Sequence, residues 1–378
     1  MKGKIQKPKF CIFINVDWFL LSHFTNYLEK ILHNGYHITV ITLNTGRCDE
    51  IRDKGIDVIE IPLSRGYANI LAELKSLIYV YSIIKKVSPD VLELITIKPV
   101  IYGGIVARIL GIKKVIFYMS GLGTIFTYNN FLGFIKSKLV SYIYKFVMKP
   151  NSSSIIVEND DDEEIFKSII KSAKNRVHLI NGVGVDLKMF APKINKKSNG
   201  LRVALASRLL KDKGIYDYLD AVKILKKEWK NTEFLLVGDP DPTNPASLTD
   251  EECIQITKQK NVTLMKHNKT MPVFLKDIDL FVLPSYREGF PKVIMEASAT
   301  GIPVITTNVV GCRSAVIHNK TGLIVPVKNY KLLASAIDKI LRSAGLRESL
   351  GTNGRIYAEE KFDQNILSKM HINVWEDT

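Results

Sequence analysis

Short, almost unbroken apolar runs alternate along this chain with longer stretches of helical periodicity. FCIFINV (10–16) is the first such run, and LSHFTNYLEKILHNG behind it reads as a helical pattern that closes at Gly35. HITVITL, DVIEIPL, DVLELIT, KVIFYM and SSIIVE predict further strands, separated by helical stretches such as ILAELKSLIYVYSIIKK. After the polar stretch KINKKSNG (193–200) the pattern starts again: LRVALAS, TEFLLVGD, NVTLMK, LFVLPS, PVITTN and GLIVPV are strand-like, with YDYLDAVKILKKEWK, a helix from Pro291 and YKLLASAIDKILRSA between them. Alternating strand and helix implies an α/β fold, with parallel sheets covered on both faces. The restart divides the chain into residues 1–190 and 191–355, and the last helical stretch, 356–378, is able to cross back to the first half.

Composition narrows the setting. With 378 residues and 46% hydrophobic positions the chain can fill two packed cores. Cys11, Cys48, Cys253 and Cys312 are scattered, without the spacing of a zinc site or a disulfide framework, which suits a reduced, intracellular protein. MKGKIQKPKF runs into a strand-length apolar segment with no cleavage site, and no run reaches the ~18 apolar residues of a membrane span, so a cytoplasmic location is expected.

The formal charge is +15, shared by both halves. Its distribution says more than its total. Between Glu93 and Glu158 there is no acidic residue, while Lys98, Arg108, Lys113, Lys114, Lys136, Lys138, Lys145 and Lys149 fall there. Within that region FLGFIKSKLVSYIYKFVMK (131–149) has the pattern of a basic amphipathic helix, which suits an anionic membrane surface. A core helix whose lysines reach out to solvent is the other reading. Nucleic acid is not an expected partner, because the charge is spread over both halves and no RRM or helix-turn-helix pattern stands out.

Candidate chemistry gathers at predicted strand ends. RLLKDKG follows LRVALAS and places Arg208 and Lys213 together; YREG follows LFVLPS and leads to EGFPKVIME (288–296). Pro291 suits a first helical turn, so Glu288 falls just before the helix and Glu296 about a turn and a half inside it. At 1.5 Å of rise per residue the two carboxylates lie on the order of 10 Å apart along the axis, with helix N-terminal amides between them. That layout fits a pyrophosphate flanked by hydroxylated rings. The plainer alternative is that Glu288 caps the helix, Glu296 is solvated and the two cations lie in a solvated loop.

The ordered set ASRLLKDKG (206–214), LPSYREGFPKVIMEASATGIPVITT (283–307), GCR (311–313) and NKTGLIVP (319–326) resembles glycosyltransferase family 4, the retaining glycosyltransferases of the GT-B fold. DWFLLSH (17–23), TIKPVIYGG (96–104), GLG (121–123) and NGVGVD (181–186) are similar, more loosely, to the branch that extends bacterial surface glycans on polyprenyl diphosphate carriers. The resemblance implies two Rossmann-like domains whose parallel sheets face a central cleft, the first binding acceptor and the second nucleotide sugar. It implies that Arg208 and Lys213 bind the donor pyrophosphate, that Glu288 holds hydroxyls of the donor sugar and Glu296 those of the ribose, and that backbone amides at Gly289 and Phe290 meet phosphate or sugar. A UDP-sugar is then a co-substrate, no other cofactor is expected, and no metal is implied, since two cations and a helix N-terminus can supply the charge. DPD (239–241) reads as rigid loop and DDD (160–162) as a solvated helix start rather than as a metal motif.

The chain also departs from the family pattern. Where many relatives carry a histidine at the ends of two first-half strands, Ser120 and Lys98 stand here, and NVDWFLLSH, with His23, replaces a glycine-rich loop. Lys98, Ser120 and His23 are the acceptor-side candidates; for Lys98 a phosphate contact or a plain loop cation are the other readings, and for His23 packing or capping. The implied activity is transfer, with retention, of a hexose or N-acetylhexosamine to a hydroxyl of a polyprenyl-diphosphate-linked glycan, peripherally on the inner face of the cell membrane, in bacterial surface polysaccharide synthesis. A nucleotide-sugar epimerase of the same fold is the nearest rival, and it needs no acceptor.

Overall fold

The computed structural model describes residues 7–62, 70–122, 131–148, 153–170, 175–192, 200–242, 244–259, 261–266 and 270–376, excluding the side chains of 70 and 131–136. Residues 193–199 of the polar stretch, Gly123, the Lys136 side chain and Lys149 lie outside the described residues. The chain forms two compact units, Met1–Val183 with Ser368–Thr378, and Gly184–Leu367.

Strands β1 (Lys9–Val16), β2 (His37–Leu43), β3 (Asp57–Glu60), β4 (Val91–Ile95), β5 (Lys114–Met119), β6 (Ser153–Val157) and β7 (Val177–Leu179) form the first sheet, in the order β3-β2-β1-β4-β5-β6-β7. Every described pairing in it is parallel. Such strands are buried on both faces, which is why β4 and β6 are enclosed along their whole length, including the polar residues Glu93, Ser153 and Ser154. Side chains alternate across the sheet. Cys11, Phe13, Leu94 and Phe117 meet the helices Ile70–Val87, Ile97–Leu110 and Phe131–Val147 on one face. Phe10 points the other way and packs edge-on against Tyr27, Tyr36 and Trp375.

That second face holds a buried polar cluster invisible to periodicity. Glu93, fully enclosed, accepts a 2.8 Å hydrogen bond from the Tyr27 hydroxyl and lies 2.7 Å from Nε2 of His371, on the helix Gln364–Glu376. The rings of Tyr27 and His371 stack with centroids 3.9 Å apart. A buried carboxylate without partners is costly, so this pair fastens the end of the chain to the first unit.

Two sequence expectations need correction here. The first helical stretch is two helices, Asp17–His23 and Thr25–His33, because the backbone leaves helical geometry at Phe24 (φ −116°, ψ 6°). Nor is DDD a wholly solvated start: Asp162 is buried beneath its Asn159 cap, and burial pushes its carboxyl pKa up to about 6. The short strand β7 had no apolar run to announce it.

Strands β8 (Arg202–Ala206), β9 (Glu233–Val237), β10 (Thr263–Met265), β11 (Leu280–Leu283), β12 (Val304–Thr307) and β13 (Gly322–Val325) make the second sheet, parallel and ordered β10-β9-β8-β11-β12-β13. Val203, Leu205, Leu236 and Val282 pack with the helices Ile215–Leu225 and Tyr330–Arg342 on one face; Ala204, Leu235 and Phe281 pack with the helices Met271–Lys276 and Lys292–Ala299 on the other. Val185 belongs to this unit because its N–H donates to the Phe362 carbonyl at 2.7 Å and its own carbonyl accepts from Gln364.

Candidate active site

Strand order fixes where a ligand can enter. In the second sheet β8 lies between β9 and β11, so the loops leaving β8 and β11 diverge at a topological switch point, where open parallel sheets bind ligands. These loops carry Arg208 and Lys213 on one side and Glu288 on the other.

The two loops are stitched together by their backbones. The Tyr286 N–H donates to the Asp212 carbonyl at 2.8 Å, and the Ser285 hydroxyl reaches the same carbonyl at 3.2 Å. Gly214 follows a single 3-10 turn, Lys211–Lys213, in the left-handed region (φ 70°), and a Cβ there would fall 2.0 Å from the Pro284 carbonyl oxygen. Gly311 repeats the device from the far side: at φ 76°, its Cβ would fall 2.1 Å from the Gly289 carbonyl oxygen. Only glycine combines that conformation with so close an approach.

Held this way, Lys213 Nζ lies 2.7 Å from Oε1 of Glu288, and each side chain is 14% exposed. The structure therefore brings two of the three proposed catalytic residues into direct contact. Arg208 turns to the neighbouring loop after β9, where its guanidinium donates to Asp241 at 2.8 Å. Asp241 belongs to the DPD segment, so that loop is the anchor of Arg208 as well as rigid backbone. Sequence reasoning missed this partner, whose only signal was its place after a strand adjacent to β8.

The helix behind Glu288 begins one residue later than expected. Pro291 has extended ψ (φ −77°, ψ 105°) and precedes the first helical residue, Lys292, and no side chain caps the helix. Glu296 thus lies about one turn inside the helix rather than a turn and a half. It is not a solvated carboxylate: its side chain is 13% exposed, and burial raises its pKa above the ordinary range against the opposing pull of Lys292, 3.6 Å away. A largely buried carboxylate whose ion pair is the 3.6 Å contact with Lys292 has oxygen lone pairs that can accept hydroxyl hydrogen bonds. Phe290 is a core residue whose ring packs edge-on against Phe362.

The first sheet has its own switch point, between β1 and β4. His23 follows β1; its ring lies tilted against Phe19 with centroids 4.2 Å apart, and its Nδ1 lies 2.7 Å from the Ser22 hydroxyl. Lys98 opens the helix after β4 and pairs with Glu73 at 3.0 Å. Ser120, half-buried, follows β5. Two further residues at these strand ends carried no sequence signal. Thr96 has φ 79° and ψ 166°, a conformation nearly restricted to glycine, with its hydroxyl oxygen buried and unpaired; Asn15 Oδ1, at the end of adjacent β1, is also buried and unpaired. Asp17, by contrast, is structural: burial alone would raise its pKa, but hydrogen bonds from Thr45, Arg47 and Trp18 win and hold it low.

Among the described residues no group of three or more His, Cys, Asp or Glu is placed to hold a metal ion. All four cysteines are free.

The fold and this arrangement define a sugar-transferring enzyme of two Rossmann-like units, and comparison with known proteins gives it a family. The family described as "Glycosyl transferases group 1" matches residues 188–357, and "Glycosyl transferase 4-like" matches 9–159. The chain belongs to glycosyltransferase family 4 and is a glycosyltransferase. Among its relatives are the capsular polysaccharide biosynthesis glycosyltransferase CapM of Staphylococcus aureus, 29% identical over 90% of this chain and 94% of that one. Another is the N,N'-diacetylbacillosaminyl-diphospho-undecaprenol alpha-1,3-N-acetylgalactosaminyltransferase of Campylobacter jejuni, 26% identical over 86% of this chain and 87% of that one. A solved glycosyltransferase from Rickettsia africae superposes with a TM-score of 0.76 at 19% identity, covering 98% of both chains, and an Anabaena protein solved with UDP-glucose does so at 0.76 and 16% identity, covering 98% of this chain and 100% of that one. These likenesses establish the GT-B fold.

Proposed function

We propose that this enzyme transfers a hexosyl or N-acetylhexosaminyl group from a UDP-sugar, with retention of configuration, to a hydroxyl of a polyprenyl-diphosphate-linked glycan in bacterial surface polysaccharide synthesis. The observation that carries the donor half is the Lys213–Glu288 pair at the β8/β11 switch point, with Arg208 and Glu296 flanking it. In this reading Lys213 and Arg208 neutralise the departing diphosphate without help from a metal, Glu288 accepts from hydroxyls of the sugar, and Glu296 accepts from the ribose. On a front-face route the acceptor oxygen bonds to the anomeric carbon on the side from which the diphosphate leaves, and the acceptor proton passes to the leaving phosphate oxygen. Lys98, Ser120 and His23 then serve the acceptor. The Campylobacter jejuni relative, named for an undecaprenol-linked acceptor, and the Anabaena structure with UDP-glucose support the two substrate classes. Among the described residues no helix is long and apolar enough to cross a membrane. The enzyme would instead meet its lipid-linked substrate peripherally, on the inner face of the cell membrane, with 131–149 against anionic lipid.

The test incubates a panel of nucleotide sugars with the protein and a short-chain polyprenyl diphosphate sugar, followed by mass spectrometry of the lipid. A gain of one sugar from one donor supports the reading. Glu288→Gln should lower turnover by roughly a hundredfold or more, as loss of a transition-state contact does, and near-normal turnover would remove Glu288 from the chemistry. Conversion of the nucleotide sugar without acceptor would make the protein an epimerase instead.

A further inference from the structure

Three helices lie side by side over one face of the first sheet: Ile97–Leu110 touches both Ile70–Val87 and Phe131–Val147. Each outer helix is apolar on two sides. On Ile70–Val87, Val80, Ile83 and Ile84 are packed into the core, while Leu71, Leu74 and Ile78 occupy the opposite side and are exposed. On Phe131–Val147, Tyr144 and Val147 are packed inward, while Leu139, Tyr142 and Phe146 face away. These six exposed side chains are 52% to 71% accessible and recur at near-helical spacings of three and four residues. A helix that has already buried one apolar face has no folding reason to build a second.

The surroundings decide what covers them. Lys75 and Lys85 flank the first stripe, and Lys138 and Lys145 the second; all four are exposed. Arg108, between the helices, lays its guanidinium 4.3 Å from the Phe146 ring centre. Glu73 is the one acidic residue in Ile70–Val87, and Phe131–Val147 has none. Glu73 is held by Lys98 rather than facing out with the stripe. Apolar ridges edged by cations with almost no acids complement an anionic bilayer surface better than they complement another copy of this basic chain.

We infer that the enzyme docks on anionic membranes through both outer helices, inserting Leu71, Leu74 and Ile78 alongside Leu139, Tyr142 and Phe146 into the headgroup region. This rests on the lipid-linked-acceptor reading for its use and extends it in two ways. The contact includes Ile70–Val87, outside the 131–149 segment, and its attachment is partly apolar, so salt alone does not abolish it. Lysines draw the face to the membrane, and the stripes hold it there.

The experiment is co-sedimentation of the full chain with vesicles of phosphatidylglycerol and phosphatidylethanolamine at low and high salt, beside neutral phosphatidylcholine vesicles. Two double variants are compared, Leu74→Ser with Ile78→Ser and Leu139→Ser with Tyr142→Ser. Each is expected to weaken partitioning into anionic vesicles by roughly tenfold or more while leaving turnover of a water-dispersed short-chain acceptor at the parent level. Parent-like vesicle binding by the first pair overturns the role of Ile70–Val87. Complete loss of parent binding at high salt overturns apolar insertion, and absence of parent binding to any vesicle overturns the docking face altogether. A solution dimer abolished by the same substitutions, without vesicle binding, makes the occupant a second copy. Transfer to a dispersed acceptor without vesicle binding defeats only the docking inference; vesicle binding without transfer from any donor defeats only the transferase reading.

Discussion

Gly214→Ala is the sharpest test of how the donor site is held. The residue adopts φ 70°, and an added Cβ would meet the Pro284 carbonyl oxygen at 2.0 Å and its carbon at 2.7 Å. The left-handed conformation alone costs a non-glycine residue about 1 kcal/mol. The clash is with backbone rather than a flexible side-chain end, so the loops must part, at a further ~1 to 3 kcal/mol. A total of roughly 2 to 4 kcal/mol corresponds, for a unit of this size, to a fall in Tm of about 4 to 16 °C. Because the same contact stitches the Lys213 turn to the Glu288 loop, donor binding should weaken with it. Gly345→Ala is the control: nothing lies within 4 Å of its Cβ position and it is the second residue of the helix Ala344–Lys361, so that change should be neutral or stabilising by up to ~1 kcal/mol. Calorimetry of both variants, with UDP titration of each, checks the claim. A Gly214→Ala protein that melts and binds UDP like its parent would refute the proposed contact.

Three other outcomes follow from buried charge. His371→Leu removes the imidazole beside Glu93 and leaves an enclosed carboxylate with the Tyr27 hydroxyl, so urea unfolding should show a loss of roughly 3 to 5 kcal/mol, largely recovered by adding Glu93→Gln; an unchanged midpoint would contradict the pairing. Asp162, whose carboxyl pKa burial raises to about 6, holds its proton more tightly folded than unfolded. Its stabilising effect is therefore complete below the unfolded pKa and disappears as pH rises through about 6. Asp162→Asn should consequently be the more stable protein by about 2 to 3 kcal/mol at pH 7.5 and nearly equal to the parent close to pH 4, and a pH-independent difference in melting would argue against it. Asp241→Asn keeps an oxygen for the Arg208 guanidinium but removes a negative charge beside it, so UDP should bind roughly fivefold tighter at low salt; an unaltered Kd would separate Arg208 from the diphosphate.

Much of this fold was legible because parallel sheets announce themselves: β4, β5 and β6 are short, buried and largely apolar, and their alternation with helices leaves few topologies. The donor loops were legible for the same reason, since RLLKDKG and YREG had to fall at strand ends. What escaped was anything settled by partners distant in sequence. Arg208 and Asp241 are 33 positions apart, Lys213 and Glu288 75, and Glu93 and His371 278, so no local pattern contains these pairs. Asp162 resembled its solvated neighbours until packing enclosed it. The stripe of Leu71, Leu74 and Ile78 misleads in the opposite sense, because helical periodicity reports that a face is apolar and not which of two apolar faces the core takes.

The pairings also change what the net charge means for the donor site. A chain of formal charge +15 suggests a cationic pocket waiting for phosphate. Instead Arg208 meets Asp241, Lys213 meets Glu288, Lys292 faces Glu296 and Arg287 lies 3.8 Å from Asp212. Carboxylates thus accompany the cations around these strand ends, and the site offers a diphosphate oriented groups rather than excess positive charge. That is a sensible arrangement for catalysis. Pairing holds long side chains in place before the donor arrives, which reduces the ordering cost of binding. On the proposed reading it also keeps free phosphate and nucleic acid from being attracted by charge alone, while a nucleotide sugar would engage cation and carboxylate at once, with its diphosphate on Lys213 and its hydroxyls on Glu288. The long stretch of sequence without an acidic residue lies elsewhere, between Glu93 and Glu158, and on the docking inference its lysines have an anionic bilayer to face.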